Sequence, residues 1–525
     1  MHTPTASHNA SDQDGRRQFL QTLAALGVGL VPQAFAPALA KPARASDFAA
    51  ALSGQPLLTP FKGVTDISGD CDTPVLATTG HWPAGLRGRF YRNGPALYER
   101  GSERYHHWFD GDGMVQQFSI GDGRVAHRGR LVRTAKLQAE QQAGRFLYGA
   151  FGTSIEDAPV AAPASGPDSY NTANTNAIEH AGRVLAMWEG GSAYAMDPAD
   201  LSSRGPVVWR KDLAGVPFSA HPKLDARGHL WNIGTSGSRI VAWHIGPDGQ
   251  LVNAQVATSP FPGGMVHDMA VTERWLVVPL PPVKLHFDRP QPEGPRRFAL
   301  EPGEPLRVLV MDKNDITRQR VFELPAELVF HIGNAHEERD GAVVLSYVGA
   351  HDVWFLNQGA VDVMRGVPSP PGAVHLRSVR LDMASGRATQ ATLPGEVEFP
   401  RIDPRRIGGS GDERARWLLT GAAWKAYPGR RHALLHGVQL THLDSGRQRR
   451  FDYGEHVAVE EHILVPKPGR RGELDAWLLG TTFDARRQAT LLNLLDASRI
   501  EDGPIAQAAL PYVLPLGFHG NFTPA

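Results

Sequence analysis

The chain has 525 residues, more than one simple domain usually holds, and 42% of them are hydrophobic, enough for a substantial core. Lys plus Arg and Asp plus Glu both number 54, so the formal net charge is zero; with no basic stripe in the sequence, this argues against nucleic-acid binding. The single cysteine, Cys71, rules out a disulfide framework, a CxxC pair and a thiolate zinc site within one chain, leaving His and carboxylates as potential metal ligands.

Residues 1–14 are polar, and Gly15-Arg16-Arg17-Gln18-Phe19-Leu20 follows. An apolar stretch rich in Ala, Gly and Leu then runs from Leu20 to about Ala40. Ala34-Phe35-Ala36, Ala38-Leu39-Ala40 and Ala43-Arg44-Ala45 each offer the small-x-small pattern of a signal-peptidase site. The paired arginines before Phe-Leu resemble a twin-arginine export signal. Pro32 and several glycines interrupt the stretch before it reaches the ~20 apolar residues that a membrane span requires. Residues 1–45 are therefore expected to be an export signal with a polar leader. The mature protein is expected to be periplasmic or otherwise exported, and not integral to a membrane.

Beyond residue 46, short strand-like runs recur at Arg183–Glu189, Arg274–Leu280, Arg307–Asp312, Ala342–Val348, Ala433–Leu443 and Ala476–Phe483. Gly, Asp and Ser turns such as Gly-Pro-Asp-Gly recur between such runs. Several runs are apolar on both faces, as in strands held between neighbouring sheets. Helical or irregular cover is expected near Thr134–Gly144 and Asn357–Gly366. Many short strands indicate a sandwich, barrel or propeller, and periodicity alone does not choose among them. No Walker A loop, dinucleotide fingerprint, HExxH helix or GxSxG elbow is present.

Four histidines lie among apolar or small residues beside turns: His221 after Phe-Ser-Ala, His267 after Met-Val, His331 after Val-Phe, and His519 after Gly-Phe. Taken singly, each is more often a hydrogen-bonded core residue than a ligand.

Their segments resemble those of the carotenoid cleavage oxygenase family, which includes the lignostilbene dioxygenases. The resemblance opens at Gly85-Leu86-Arg87-Gly88-Arg89-Phe90-Tyr91-Arg92-Asn93-Gly94-Pro95 and continues through Tyr105-His106-His107-Trp108-Phe109-Asp110-Gly111-Asp112-Gly113. Asn174-Thr175-Asn176, Trp188-Glu189, His267-Asp268, Phe330-His331, Glu398-Phe399-Pro400-Arg401 and Gly517-Phe518-His519-Gly520-Asn521-Phe522 follow in order. Such a series covers almost the whole chain after the leader.

The resemblance implies an all-β fold: a single seven-bladed β-propeller over residues 46–525, with a cap of loops and short helices above an axial iron site. It implies one Fe(2+) per chain, held by His221, His267, His331 and His519, each from a different blade. His106 and His107 are then structural. Glu189, in a strand after Trp188, together with Glu398 and Glu461, would accept the outer ring N–H of ligand histidines, fixing their tautomer. At the third position the local Glu460-Glu461-His462 departs from the family's Gly-Glu-Pro pattern, and Glu460 is expected to be a surface carboxylate.

The implied reaction is cleavage of an alkene by O2 into two carbonyl products, the substrate supplying the electrons. Stilbene-cleaving relatives carry a Lys immediately before the first of these glutamates. Trp188 stands there and resembles the carotenoid and apocarotenoid cleavers, unless it merely packs between blades. The expected substrate is thus a lipophilic carotenoid or apocarotenoid, with a stilbenoid or phenylpropanoid alkene as the alternative. A binding propeller without catalysis is a further alternative, which the presence of all four histidines disfavours. Phe146–Phe151 is either an apolar membrane-contact patch or buried cap.

Overall fold

The computed structural model describes residues 43–525 apart from 65–69, 154–165, 262–263, 287–289, 292–293, 296–297, 369–373 and 429–433. Most of the expected export signal therefore lies outside the described residues. Ala43–Arg44 forms a short strand paired with Glu103–Arg104, and a helix over Ala45–Leu52 follows.

Seven antiparallel sheets of four or five strands make the seven blades of a propeller. In blade order, the innermost strands are His519–Pro524 in blade I, Asn176–His180 in II, Lys223–Leu224 in III and Ala270–Val271 in IV. Leu328–Glu337, Glu396–Arg401 and Val457–Pro466 serve blades V, VI and VII. The ring is closed from both ends of the chain. The C-terminal strand pairs with Gly88–Leu97, the second strand of blade I, while Ala77–Gly80 pairs with Pro504–Ala509 at the rim of blade VII. Closure ties both chain ends into the ring, so that blade I holds the C-terminal strand on the axis and blade VII holds an N-terminal strand at its rim.

The runs that are apolar on both faces now have a cause. In Trp275–Leu280, Val277 joins a core with Val329, Ile332 and Leu345 of blade V. Leu276, Val278 and Leu280 point the opposite way, to Ile233 and Ile240 of blade III. Alternate residues of one strand thus feed two interfaces, which removes the polar face that a half-exposed strand would show. A comparable apolar cluster fills each of the other blade interfaces, such as Phe90, Phe118, Leu479 and Leu492 between blades I and VII.

The cap stands at one end of the axis. Its helix over Ala135–Ala143 begins at Thr134, whose hydroxyl accepts from Leu137 N at 3.1 Å, and ends at Gly144 with φ 64°, close to the expected bounds. The second expected cover is a π-turn over Phe355–Gly359 running into a helix over Ala360–Arg365, ended by Gly366 at φ 65°. A buried network of Arg100, Lys136, Asp112 and Glu140 pins the first helix to blade I. Phe146 is buried against Tyr105, with ring centroids 4.0 Å apart, and Leu147 to Phe151 are half-buried, so this segment forms part of the cap. Among the described residues, no helix is long and apolar enough to cross a membrane.

Candidate metal centre

The four histidines, scattered along the sequence, meet on the axis. His221 and His267 sit just before the inner strands of blades III and IV, His331 lies within that of blade V, and His519 opens that of blade I. Their ligand atoms lie within 4.8 Å of one another, and all four side chains are buried. His221 Nε2 is 3.0 Å from His267 Nε2, which is 3.2 Å from His331 Nε2.

Carboxylates from the remaining three blades fix the rings from behind. Glu189 of blade II receives His267 Nδ1 at 2.6 Å, and Glu398 of blade VI receives His331 Nδ1 at 2.5 Å. Glu461 of blade VII receives His519 Nδ1 at 2.9 Å. Every blade therefore places one of these seven side chains around the axis. A carboxylate at Nδ1 accepts a hydrogen bond from the ring N–H, which keeps the proton there and leaves a lone pair on Nε2.

Three such lone pairs, with His221 beside them, converge on one buried point. The facing lone pairs of His267 and His331, 3.2 Å apart, repel unless a cation lies between them, and His221 Nε2 stands 3.0 Å from the first, so the donor set fits a metal ion. Imidazoles without thiolates suit iron, zinc, copper or nickel. Burial and the neighbouring rings, with Lys223 nearby, hold His221 well below the usual histidine range, which keeps it neutral and able to ligate. Burial also lowers His519, to about 4, against the opposing effect of Glu461. His267 is raised because the Glu189 charge and hydrogen bond outweigh burial. Burial would raise Glu461, but the Arg401 charge and His519 bring it down to about 2.

Local irregularities aim these groups. The pairing register shifts between Val329 and Ile332, between Glu398 and Arg401, and between Val459 and His462. Each shift is a bulge at the residue of interest, and bulges re-aim side chains that a regular strand would send elsewhere. At the second, Phe399 takes φ 57° and its N–H donates to Glu398 Oε2 at 2.6 Å. Asp268 ties three ligand strands together: it accepts from Lys223 Nζ at 2.7 Å, from Met269 N at 2.6 Å and from Ile332 N at 2.8 Å. Arg401 grips Glu461 through Nε and Nη2, at 2.8 and 2.9 Å, and Nη2 also donates to Gly520 O at 2.7 Å.

A file of aromatic rings leads away from the site. Phe330 stacks on His267 with centroids 4.3 Å apart, Phe109 lies 6.2 Å from Phe330, Phe151 5.4 Å from Phe109, and Phe298 5.0 Å from Phe151. Of the three carboxylates, Glu189 has the most exposed side chain, at 32% against 19% for Glu398 and 4% for Glu461.

The family model described as retinal pigment epithelial membrane protein matches residues 65–524. The chain belongs to this family, that of the carotenoid cleavage oxygenases. It is 30% identical to the apocarotenoid-15,15'-oxygenase of Synechocystis sp., over 84% of this chain and 91% of that one. With lignostilbene-alpha,beta-dioxygenase isozyme III of Sphingomonas paucimobilis it shares 28% identity, over 86% and 94%. The structure of cobalt-substituted Synechocystis apocarotenoid oxygenase superposes with TM-score 0.77 at 27% identity, over 90% of this chain and 99% of that one.

Two expectations within this carotenoid cleavage oxygenase site need correction. Trp188 and Glu189 are not in a strand: the strand ends at Met187, and the pair lies at the start of the turn through Gly190. The Trp188 ring lies against Gly190, where a Cβ would come within 2.5 Å of it, and edge-on to Tyr170 at 5.7 Å. Glu460 is not at the surface but buried, because the bulge turns both adjacent carboxylates inward. His107 lies outside the cluster, accepting from Phe109 N at 3.1 Å and bonding Leu356 O at 2.9 Å. Arg401 and Asp268 stand in the Glu-Phe-Pro-Arg and His-Asp motifs, but nothing in those motifs marks them as a clamp and a tie. Nor does any local pattern mark Glu460 as an inward-facing carboxylate.

Proposed function

We propose that the protein is a non-haem iron(II) oxygenase that uses O2 to cleave an alkene bond of a carotenoid or apocarotenoid into two carbonyl products. The observation that carries this reading is the convergence of four imidazole Nε2 atoms whose rings are set by Glu189, Glu398 and Glu461. His221, His267, His331 and His519 would hold one Fe(2+), and the three glutamates fix the tautomer of three of them. When bound, iron(II) would supply dioxygen activation beside an electron-rich double bond.

The chain's own residues do the rest. Both electron pairs of the double bond end in C=O bonds, one oxygen atom going to each carbon, so no external reductant is needed. The site correspondingly needs positioning and exclusion of water more than proton transfer. Phe330, Phe109, Phe151 and Phe298 offer an apolar path for a long planar substrate, and Phe330 stacked on His267 keeps that ring from turning. Glu189 is the most exposed of the three carboxylates, and Trp188 beside it adds an aromatic side chain to the blade II side of the site. An indole suits a polyene, whereas a phenolate would call for a cation at that position. The 30% identity to an apocarotenoid oxygenase supports the same choice, while a 28% identical lignostilbene dioxygenase keeps a stilbenoid substrate as the second reading.

We further propose that residues 1–45 export the folded protein through a twin-arginine route, so that iron is loaded before crossing. Iron analysis and product identification test the main reading together. Purified protein should contain one iron and convert an apocarotenoid to two carbonyl fragments with O2 uptake. Iron-free protein that leaves apocarotenoids, carotenoids and hydroxystilbenes untouched refutes it, and turnover of the stilbenes alone selects the second reading.

A further inference from the structure

Glu460 and Arg92 form a buried ion pair, both side chains 4% exposed, in the wall behind His519. The bulge at Glu460–Glu461 sends two consecutive carboxylates into the same C-terminal segment. Glu461 takes the His519 ring and Gly520 N, at 2.9 and 2.7 Å. Glu460 takes Gly517 N at 3.2 Å and is itself held by Arg92 Nη2 and the Thr481 hydroxyl. Arg92 Nη2 also donates to Pro515 O at 2.5 Å. The guanidinium lies so close to Gly517 that a Cβ there would stand 2.4 Å from Arg92 Nε. Phe518 N closes the series on Asn93 O at 2.8 Å.

The segment carrying His519 is therefore gripped at residues 515, 517, 518, 519 and 520 by side chains and backbone of blades I and VII. His519 reaches the axis because this last strand returns to blade I, so its position depends on contacts between segments far apart in the chain. A carboxylate buried at this cost needs a compensating partner. Arg92 satisfies the charge, and the other bonds of Glu460 come from the Thr481 hydroxyl and from the backbone two residues before His519.

We propose that Glu460, acting with Arg92, is a positioning residue that sets where His519 closes the metal site. The proposal rests on the four-histidine metal reading. It concerns metal affinity and ligand field rather than a chemical step.

The test titrates chelator-treated, metal-free protein with cobalt(II) alone, following the ligand-field absorption bands. Glu460→Gln keeps the shape but removes the charge opposite Arg92. It should bind cobalt about 10-fold more weakly, the lower end of the usual effect of an outer-shell partner. Its bands should shift toward those of His519→Ala. Arg92→Lys keeps the charge but, being shorter, withdraws the nitrogen from the Nη2 position that joins Glu460 to Pro515 O, and should move affinity and bands the same way. Tyr347→Phe removes a buried hydroxyl bond to Glu327 in blade V; it should lower Tm and leave cobalt affinity unchanged.

Wild-type protein that takes up no cobalt overturns the four-histidine reading and the clamp with it. Tight binding by the wild type, with unchanged affinity and bands in both Glu460→Gln and Arg92→Lys, overturns the clamp alone. An equal affinity loss in Tyr347→Phe, or failure of both clamp variants to fold, reduces Glu460 to general structural support and likewise overturns it.

Discussion

Replacing Glu461 by Gln changes one oxygen into an NH2 group and asks which of four donors loses its acceptor. Glu461 Oε1 accepts from Arg401 Nε at 2.8 Å and from His519 Nδ1 at 2.9 Å. Oε2 accepts from Arg401 Nη2 at 2.9 Å and from Gly520 N at 2.7 Å. Either orientation of the amide sets an NH2 against two donors. Two charge-assisted bonds at ~1.5–3 kcal/mol each give about 3–6 kcal/mol, and breaking a buried pair usually costs ~3–5 kcal/mol. The expected loss is therefore about 3–5 kcal/mol, read from urea denaturation followed by tryptophan fluorescence.

The orientation follows from chemistry. Gly520 N and Arg401 cannot give up their protons, whereas His519 can move its proton from Nδ1 to Nε2. The amide nitrogen should therefore take the Oε1 place, and His519 should turn into a donor toward the axis. Metal affinity should then fall about 10- to 100-fold as well. A variant that loses stability but binds metal like the wild type refutes the claim that Glu461 sets the His519 tautomer.

Further outcomes follow from the same geometry. His267→Ala should abolish metal retention and turnover while leaving the circular dichroism spectrum unchanged; full activity would remove His267 from the centre. Lys136→Met should destabilise the fold by ~3–5 kcal/mol, because buried Asp112 and Glu140 would share Arg100 alone; a midpoint equal to wild type would contradict this. Although burial acts to raise it, Asp112 is held below the ordinary carboxylate range by Lys136 and Arg100. Its folded pKa being depressed, the contribution to stability is complete above the unfolded value near ~3.9 and is lost as pH falls through the lower, folded value. Denaturation midpoints of wild type and Lys136→Met should accordingly converge on acidification below about pH 4; a gap that widens there would reverse the sign of the argument. Gly517→Ala should weaken metal binding, since its Cβ would collide with Arg92 and displace the segment before His519.

Much of this was legible in the sequence because it is written locally. Runs such as Trp275–Leu280 announced two-sided burial, and Thr134 and Gly144 marked the ends of a cap helix. Ordered motifs around His221, His267, His331 and His519 named the residues that the fold brings to its axis, and Glu189, Glu398 and Glu461 stand behind three of them. Strand propensity continues past Met187 through Trp188, but the pairing partner ends opposite Met187, so Trp188 lies outside the strand.

What only the tertiary structure decided is how those residues face one another. A bulge is a property of register between two strands, so nothing within Val457–Pro466 says that Glu460 and Glu461 turn inward together; pairing with Ala476–Asp484 does. The four-nitrogen cluster is likewise a property of ring closure. The sequence determined that His519 sits in an apolar turn near the C-terminus. It joins His221, His267 and His331 only because its strand pairs back onto Gly88–Leu97, a contact between the two ends of the chain that no local pattern encodes.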